Sequence, residues 1–424
     1  MKIFFNFKPI SISLSPNVEK DDVLLALNLI IRPWLWKKGR GVNELEERLK
    51  RYLGVKHVVT FNSGRSSLFA ILKALDLPST TPVFLQAFTC NAAVNPFLWA
   101  GFKPIYVDCE EKTFNINPRV LEERIKKYKR KGEKGIVMVQ HTFGFPAPMD
   151  EIIKICEEND LILIEDCAHA LGAEWRSKKV GTLSRASFFS FSRDKVISSI
   201  YGGAAATNDD EIGKRLRELQ KQYGNPPSFW IFQQLLHPIL LAFLILPLYN
   251  CLDLGKLFLV LSQLLGLLSK AVHSKEKKGK KPFYFPHSLP NALAILALHQ
   301  LQKLDKFFLH RKKIFEYFLE NLAESSFSLP SIDSQTQPSY LRFPLRHSHA
   351  HQIIYEAWHK ENILLGDWYT SPVAPHDTCL EKVLYKKGTC PLAEKLSQTT
   401  LNLPTHINIS LKDAERIVKF LKKF

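Results

Sequence analysis

A chain of 424 residues with 46% apolar and 23% charged side chains has ordinary globular composition, which excludes a disordered chain and a small disulfide-stapled scaffold. Lys and Arg number 58 against 41 Asp and Glu, a net charge of +17 that favours anionic partners: nucleic acid, a membrane surface or phosphorylated substrates. Seven cysteines without a C-x-x-C pair argue against a zinc ribbon or redox motif, so no metal site is expected and a reducing, cytoplasmic setting is.

The opening "MKIFFNFKPISISLSP" is too short in apolar run for a signal peptide. From Lys56 to Asn208, short β-rich runs alternate with helix-like stretches. The strands are "HVVTF" (57–61), "PVFLQ" (82–86), "KPIYVD" (103–108), "GIVMVQH" (135–141), "LILIED" (161–166), "SFFSFS" (187–192) and "GGAAATN" (202–208). Several are apolar almost throughout, as strands covered on both faces are. Helices are expected at Ser66–Leu75, Pro118–Lys131 and Met149–Asn159, the last with apolar residues at Met149, Ile152, Ile153 and Cys156. This alternation predicts a doubly wound α/β domain around a seven-stranded, mostly parallel sheet. The basic run "RIKKYKRKGEK" (124–134) lacks interleaved aromatics and reads as a solvated face, not a nucleic-acid site.

Residues 222–252 then contain no Asp, Glu, Lys or Arg, and a second apolar run follows Asp253. Five lysines crowd 275–281. The stretch 229–272 has two readings: a helical hairpin lying in a bilayer surface, pinned by the lysines, or a helical subdomain buried against the chain or a dimer mate. Pro238, Pro247, Gln233, Gln234 and His237 interrupt it, which argues against a clean membrane crossing. "ALAILALHQLQKLDKFFLHRKKIFEYFLENL" reads as a long amphipathic helix or helix pair. Residues 338–424 mix short strands ("YLRFPL", "ENILLG") with helices and end on "LKDAERIVKFLKKF", a smaller α/β domain. The expected organisation is a large domain over 1–225, an apolar insertion over 226–285, and a connecting helix with a small domain over 286–424.

Three features bear chemistry. In "FNSGRSSLFAIL" (61–72), a strand runs through Ser63, Gly64 and Arg65 into a helix whose first N–H groups are open to a phosphate; a plain Ser N-cap explains the same residues. In "LILIEDCAHALGA" (161–173), Asp166 ends an apolar strand and His169 follows; a buried acid needs a positive partner, unless it only caps the next helix. Lys195 stands three residues after "SFFSFS", at the carboxyl end of a strand, where α/β ligands bind. A lysine, an acid and a phosphate cradle on one sheet edge are what pyridoxal phosphate requires.

Landmarks including "YLGVKHVVTFNSGRSSL", "QAFTCNAAVNPFLWAGFKPIYVDCEEKTFNINP", "HTFGFPAPMDEI", "IEDCAHALGAEW", "KKVGTLSRASFFSFSRDK" and "GGAAATND" occur in an order that resembles the fold-type-I, pyridoxal-phosphate-dependent sugar aminotransferases of the DegT/StrS type. The resemblance runs from about Ser15 to the C-terminus, without roughly 226–285. It implies Lys195 as the Schiff-base lysine and Asp166 as partner of the pyridine nitrogen. Gly64 and Arg65 would bind phosphate through backbone N–H groups, beside Ser63 and a hydroxyl from Ser190. His169 would stand near the ring oxygen and His141 beneath the ring, unless His141 is a satisfied core histidine. Cys90 takes the place of the usual aromatic stacker, leaving Phe88 or Cys90 to cover the ring. Tyr201 replaces the family's Glu, and Pro286 stands where many relatives carry an Asn that reaches across the dimer. The implied activity is amino transfer from a glutamate- or glutamine-type donor to a keto-sugar, nucleotide-linked, by a cytoplasmic homodimer that touches a membrane surface if 229–281 meets lipid. The other readings are a membrane-associated scaffold that keeps the fold without turnover, and a different pyridoxal-phosphate enzyme acting on amino acids.

Overall fold

The structure, a computed structural model, describes residues 8–130 and 132–424. The first seven residues, which belong to the run judged too short for a signal peptide, lie outside the described residues, as does Lys131 at the expected end of one helix.

An N-terminal helix, α1 (Lys20–Ile30), precedes the main sheet. Seven strands build that sheet: β1 (His57–Phe61), β2 (Val83–Gln86), β3 (Pro104–Val107), β4 (Gly135–Gln140), β5 (Leu161–Asp166), β6 (Ala186–Ser190) and β7 (Gly203–Thr207). Their spatial order is β1-β7-β6-β5-β4-β2-β3, and only β7 runs antiparallel to its neighbours. Strand alternation divides the apolar residues between two cores. Val59, Leu85, Ile136 and Met138 face one; Val58, Phe84, Val137 and Val139 face the other. The near-continuous apolar runs in the sequence reflect this burial on both faces.

Helix α2 (Gly64–Leu75) follows β1 directly. The insertion forms two helices in succession, α3 (Ser228–Leu240), which continues helically through Ile245, and α4 (Leu254–Leu264). By length and composition Ser228–Ile245 suffices to cross a membrane, but half of it is buried within the protein. Its polar residues turn inward: Gln234 is buried and accepts a hydrogen bond from the Ser269 hydroxyl at 2.8 Å. The amphipathic stretch that follows is a helix pair, α5 (Asn291–Gln302) and α6 (Leu304–Asn321). In the C-terminal part, β8 (Arg342–Arg346) pairs antiparallel with β9 (Thr400–Pro404), flanked by α7 (Ala350–Glu361) and α8 (Leu411–Leu421). Phe343, Leu401 and Ile417 share one core with the sheet residues Val59 and Leu85.

The topology brings the chemistry to one edge. β1, β5 and β6 all end there, and antiparallel β7 begins there. Gln140 lies opposite Asp166, Asp166 opposite Phe188, and Ser190 opposite Gly203.

Candidate functional site

A pocket opens at this edge, bordered by Ser63, Gly64, Arg65, Asp166, His169, Ser190 and Lys195. Cys90 also borders it. Eight of the nine residues singled out from the sequence therefore meet at one cavity.

The ninth, His141, does not. It is fully buried outside the pocket lining, with Nε2 at 3.2 Å from Glu165 Oε2 and Nδ1 accepting the Ala147 N–H at 3.0 Å. Glu165 in turn accepts N–H groups from Gly181 and Leu183. His141 is a satisfied core histidine: Gln140, one residue earlier, takes the pocket side, and the chain alternates faces. Phe88 is likewise in the core, against Phe114, Phe143 and Tyr369, and does not border the pocket.

The cradle is built from close backbone approach. Ser63 caps α2 by accepting the Ser66 N–H at 3.1 Å. The N–H groups of Gly64 and Arg65 open the helix, where no intrahelical acceptor exists. Gly203 makes room for them: a Cβ there would stand 2.5 Å from Gly64 N and 2.7 Å from Phe189 O. A Cβ on Gly64 would stand 3.0 Å from Ser190 Cβ. This end of the pocket also holds the buried guanidinium of Arg193.

Opposite shifts mark the acid and the lysine. Burial pushes Asp166 up to about 6 and Lys195 down to about 8. Asp166 Oδ1 accepts the Ala168 N–H at 2.9 Å, so it does cap the next turn, yet it borders the pocket as well. The backbone at Lys195 is fixed from a distance. Asn17 donates to the Lys195 carbonyl at 2.6 Å and to the Val196 carbonyl at 3.1 Å; Arg311 donates to Asn17 Oδ1 at 2.7 Å. His169 is held neutral by burial, well below its usual range. Its Nδ1 accepts the Phe143 N–H at 3.2 Å, which leaves the hydrogen on Nε2, 3.4 Å from the Tyr369 hydroxyl.

Two parts of the pocket were not foreseen. Trp368 stacks on His169 at 4.8 Å between ring centroids, and Lys195 Nζ lies 4.5 Å from the Trp368 centroid. An aromatic ring thus borders the site where Cys90 supplies none. The other part is the end of the insertion. Ala271 and Val272 form a wall of the pocket. The Arg193 guanidinium donates to the Ser269 carbonyl and hydroxyl, both at 3.1 Å, and the Tyr201 hydroxyl donates to the Lys270 carbonyl at 2.5 Å. Glu276, in the middle of the lysine run, is fully buried and pairs with Arg65.

The residues present fit pyridoxal phosphate. A glycine-built helix N-terminus suits a phosphate dianion, a buried acid suits a ring nitrogen that carries a proton, and an amine poised near neutrality suits bonding to an aldehyde.

Comparison with known proteins agrees. The model of the DegT/DnrJ/EryC1/StrS aminotransferase family matches residues 17–229 and 265–422. The unmatched gap covers most of α3 and all of α4, whereas the lysine run lies inside the match. The chain is 31% identical over 212 residues to GDP-perosamine synthase of Caulobacter vibrioides, covering 50% of this chain and 56% of that protein. It is 34% identical over 208 residues to a UDP-4-amino-4,6-dideoxy-N-acetyl-β-L-altrosamine transaminase of Campylobacter jejuni, covering 48% and 53%. The chain thus spans about half the length of these curated relatives. Across nearly the whole chain the fold matches a DegT/DnrJ/EryC1/StrS aminotransferase from Brucella abortus, with a TM-score of 0.74, 20% identity and coverage of 96% and 95%.

Proposed function

Because the chain belongs to the DegT/DnrJ/EryC1/StrS aminotransferase family, we propose that it is a pyridoxal-phosphate-dependent transaminase that aminates a keto-sugar. The donor is an amino acid of the glutamate or glutamine type. The acceptor is nucleotide-linked, a reading supported by the GDP- and UDP-sugar names of the two relatives above. Homodimerisation is proposed on the family resemblance and is read out by sedimentation.

When bound, pyridoxal phosphate supplies an electron sink for the pair released as a C–H bond breaks. The chain's own residues supply the rest. Ser63, Gly64, Arg65 and Ser190 would bind and orient the phosphate. Asp166 would hold a proton at the pyridine nitrogen, since burial strengthens the attraction between its carboxylate and a positively charged ring. His169 offers an Nε2–H donor to the pocket. The Lys195 amine, shifted down to about 8 by burial, is still mostly protonated at physiological pH, but its neutral fraction exceeds that of an ordinary lysine by on the order of a hundredfold. It therefore accepts a proton from one substrate carbon and returns it to another. Trp368, Ala271 and Val272 line the pocket with apolar surface.

The observation that carries this reading is the convergence of Lys195, Asp166 and the Ser63–Gly64 turn on one pocket. Borohydride reduction of the protein loaded with pyridoxal phosphate, followed by peptide mapping, is expected to label Lys195. A label on another lysine, or none, refutes the assignment.

A further inference from the structure

The two helices of the insertion present an apolar surface that the chain does not cover. Helix α4 is apolar on its packed face and on its outward face, with Lys256 and Gln263 seven residues apart along one flank. Its fully buried positions are Gly255 and Ser262, and Phe258 and Leu259 pack against the small cluster of Leu241, Ile245, Tyr249 and Leu268. Leu254, Leu257, Leu261 and Leu264, spaced three, four and three residues apart, form an outward stripe, with Val260 and Leu265 beside it. Leu264 is 76% exposed and Leu265 71%. A helix in water normally turns a polar face outward; here the outward face is leucine and valine, and no other described residues cover it. Helix α1, packed against α3, adds a second outward stripe of Leu24, Leu27 and Ile31, followed by exposed Trp34.

The rim has the chemistry of a lipid interface. Tyr355 and Trp358 of α7 are exposed, and the Lys256 ammonium lies 5.7 Å from the Trp358 ring centroid, at the start of α4. Aromatic rings beside a cation suit the headgroup layer. Beyond the other end of α4 come Lys270, Lys275, Lys278 and Lys280, all exposed and with no ion pair among the described residues. A second copy of the chain is a poor occupant, because a two-fold contact places the same patch of both copies, with its unpaired lysines, in one interface.

We propose that this face docks on an anionic lipid bilayer, with α4 lying in the interface plane and the exposed lysines on the headgroups. The half-buried α3, with Gln233, Gln234 and His237 turned into the protein, holds the enzyme on one side of the bilayer. The segment leaving α4 forms the Ala271–Val272 wall of the pocket, so docking brings the substrate entrance to the lipid surface. The inference stands on the exposed surface and does not depend on the proposed reaction.

The test is flotation of the full-length protein with vesicles of phosphatidylglycerol and phosphatidylethanolamine, compared with pure phosphatidylcholine. Binding to the anionic vesicles should be stronger by about tenfold or more and should weaken with salt. Changing Lys275, Lys278 and Lys280 to Gln should lower the partition coefficient about a hundredfold, at roughly fivefold per lysine. The triple variant Leu257→Glu, Leu261→Glu, Leu264→Glu should abolish flotation while keeping the pyridoxal-phosphate absorbance of the parent, which shows that it folds. Failure of the parent to float, or conversion of a parent dimer to a monomer by the leucine variants, overturns the proposal; the second result assigns the face to a partner copy.

Discussion

Glu276→Gln is the most informative single change outside the cofactor contacts. Glu276 is 0% and Arg65 8% exposed, and the two pair directly. Glu276 also accepts the His273 N–H at 2.7 Å and the Tyr284 hydroxyl at 3.3 Å. The amide keeps the shape and can retain these two hydrogen bonds, but it leaves the Arg65 charge buried without a counter-charge. Removing one partner of a buried ion pair destabilises by about 3–5 kcal/mol. The retained hydrogen bonds place this variant near the lower end, about 3 kcal/mol. The double variant Arg65→Met, Glu276→Gln removes the stranded charge and should recover most of that loss. Denaturant unfolding of the parent, both single variants and the double variant measures the coupling. Because this pair ties the end of the insertion to the first turn of α2, Glu276→Gln should also weaken pyridoxal-phosphate binding in equilibrium dialysis. A loss below about 1 kcal/mol, with unchanged cofactor affinity, refutes the idea that this ion pair holds the wall to the cradle.

Asp166→Asn should keep pyridoxal phosphate bound yet lower turnover by about a hundredfold or more, since a charge that stabilises the reacting state is gone; near-parental transamination would leave Asp166 as a helix cap only. Cofactor loading onto the apo-protein should accelerate as pH rises through about 8, where burial places the Lys195 amine, and level off above it; a midpoint near the ordinary lysine value would show an exposed amine. Stability should fall as pH drops below about 6.5. Burial holds His169 and His237 well below the usual range and His406 down to about 3, so the unfolded chain binds more protons than the fold and each site contributes up to about 1.4 kcal/mol per pH unit. Asp166, raised to about 6, acts oppositely between about 4 and 6, as do Asp194 and Glu110, also raised by burial; His310 and His347, lowered by burial, add to the histidine side, three carboxyls against five histidines. A Tm that rises on acidification from pH 7 to 5 would contradict this balance.

The sheet was legible because each of its strands is a short apolar run between turn signals, and all seven appear within two residues of their expected ends. Lys195, Asp166 and Ser63–Gly64 were legible because each sits at a strand end, and strand ends of a parallel sheet gather on one edge. The choice left open for His141, beneath the ring or in the core, had one available signal in the sequence. Alternation at the end of β4 puts Gln140 and His141 on opposite sides, and Gln140, in register with Asp166, faces the pocket. Glu276 was hidden by its neighbours: one acid among five lysines looks solvated, and its partner Arg65 lies 211 residues away. Asn17, Arg311 and Trp368 carry no local motif, and only tertiary contacts bring them to the site.

If this pocket transaminates through Lys195, its first half-reaction runs without the sugar. Protein loaded with pyridoxal phosphate is mixed with excess L-glutamate, or L-glutamine, in the absence of sugar, and the released keto acid is quantified after rapid quenching. A single burst of about one keto acid per loaded chain is expected, which resumes as turnover only when a nucleotide-linked keto-sugar is added and is absent from Lys195→Ala. No keto acid from either donor, or an equal burst from Lys195→Ala, would contradict it.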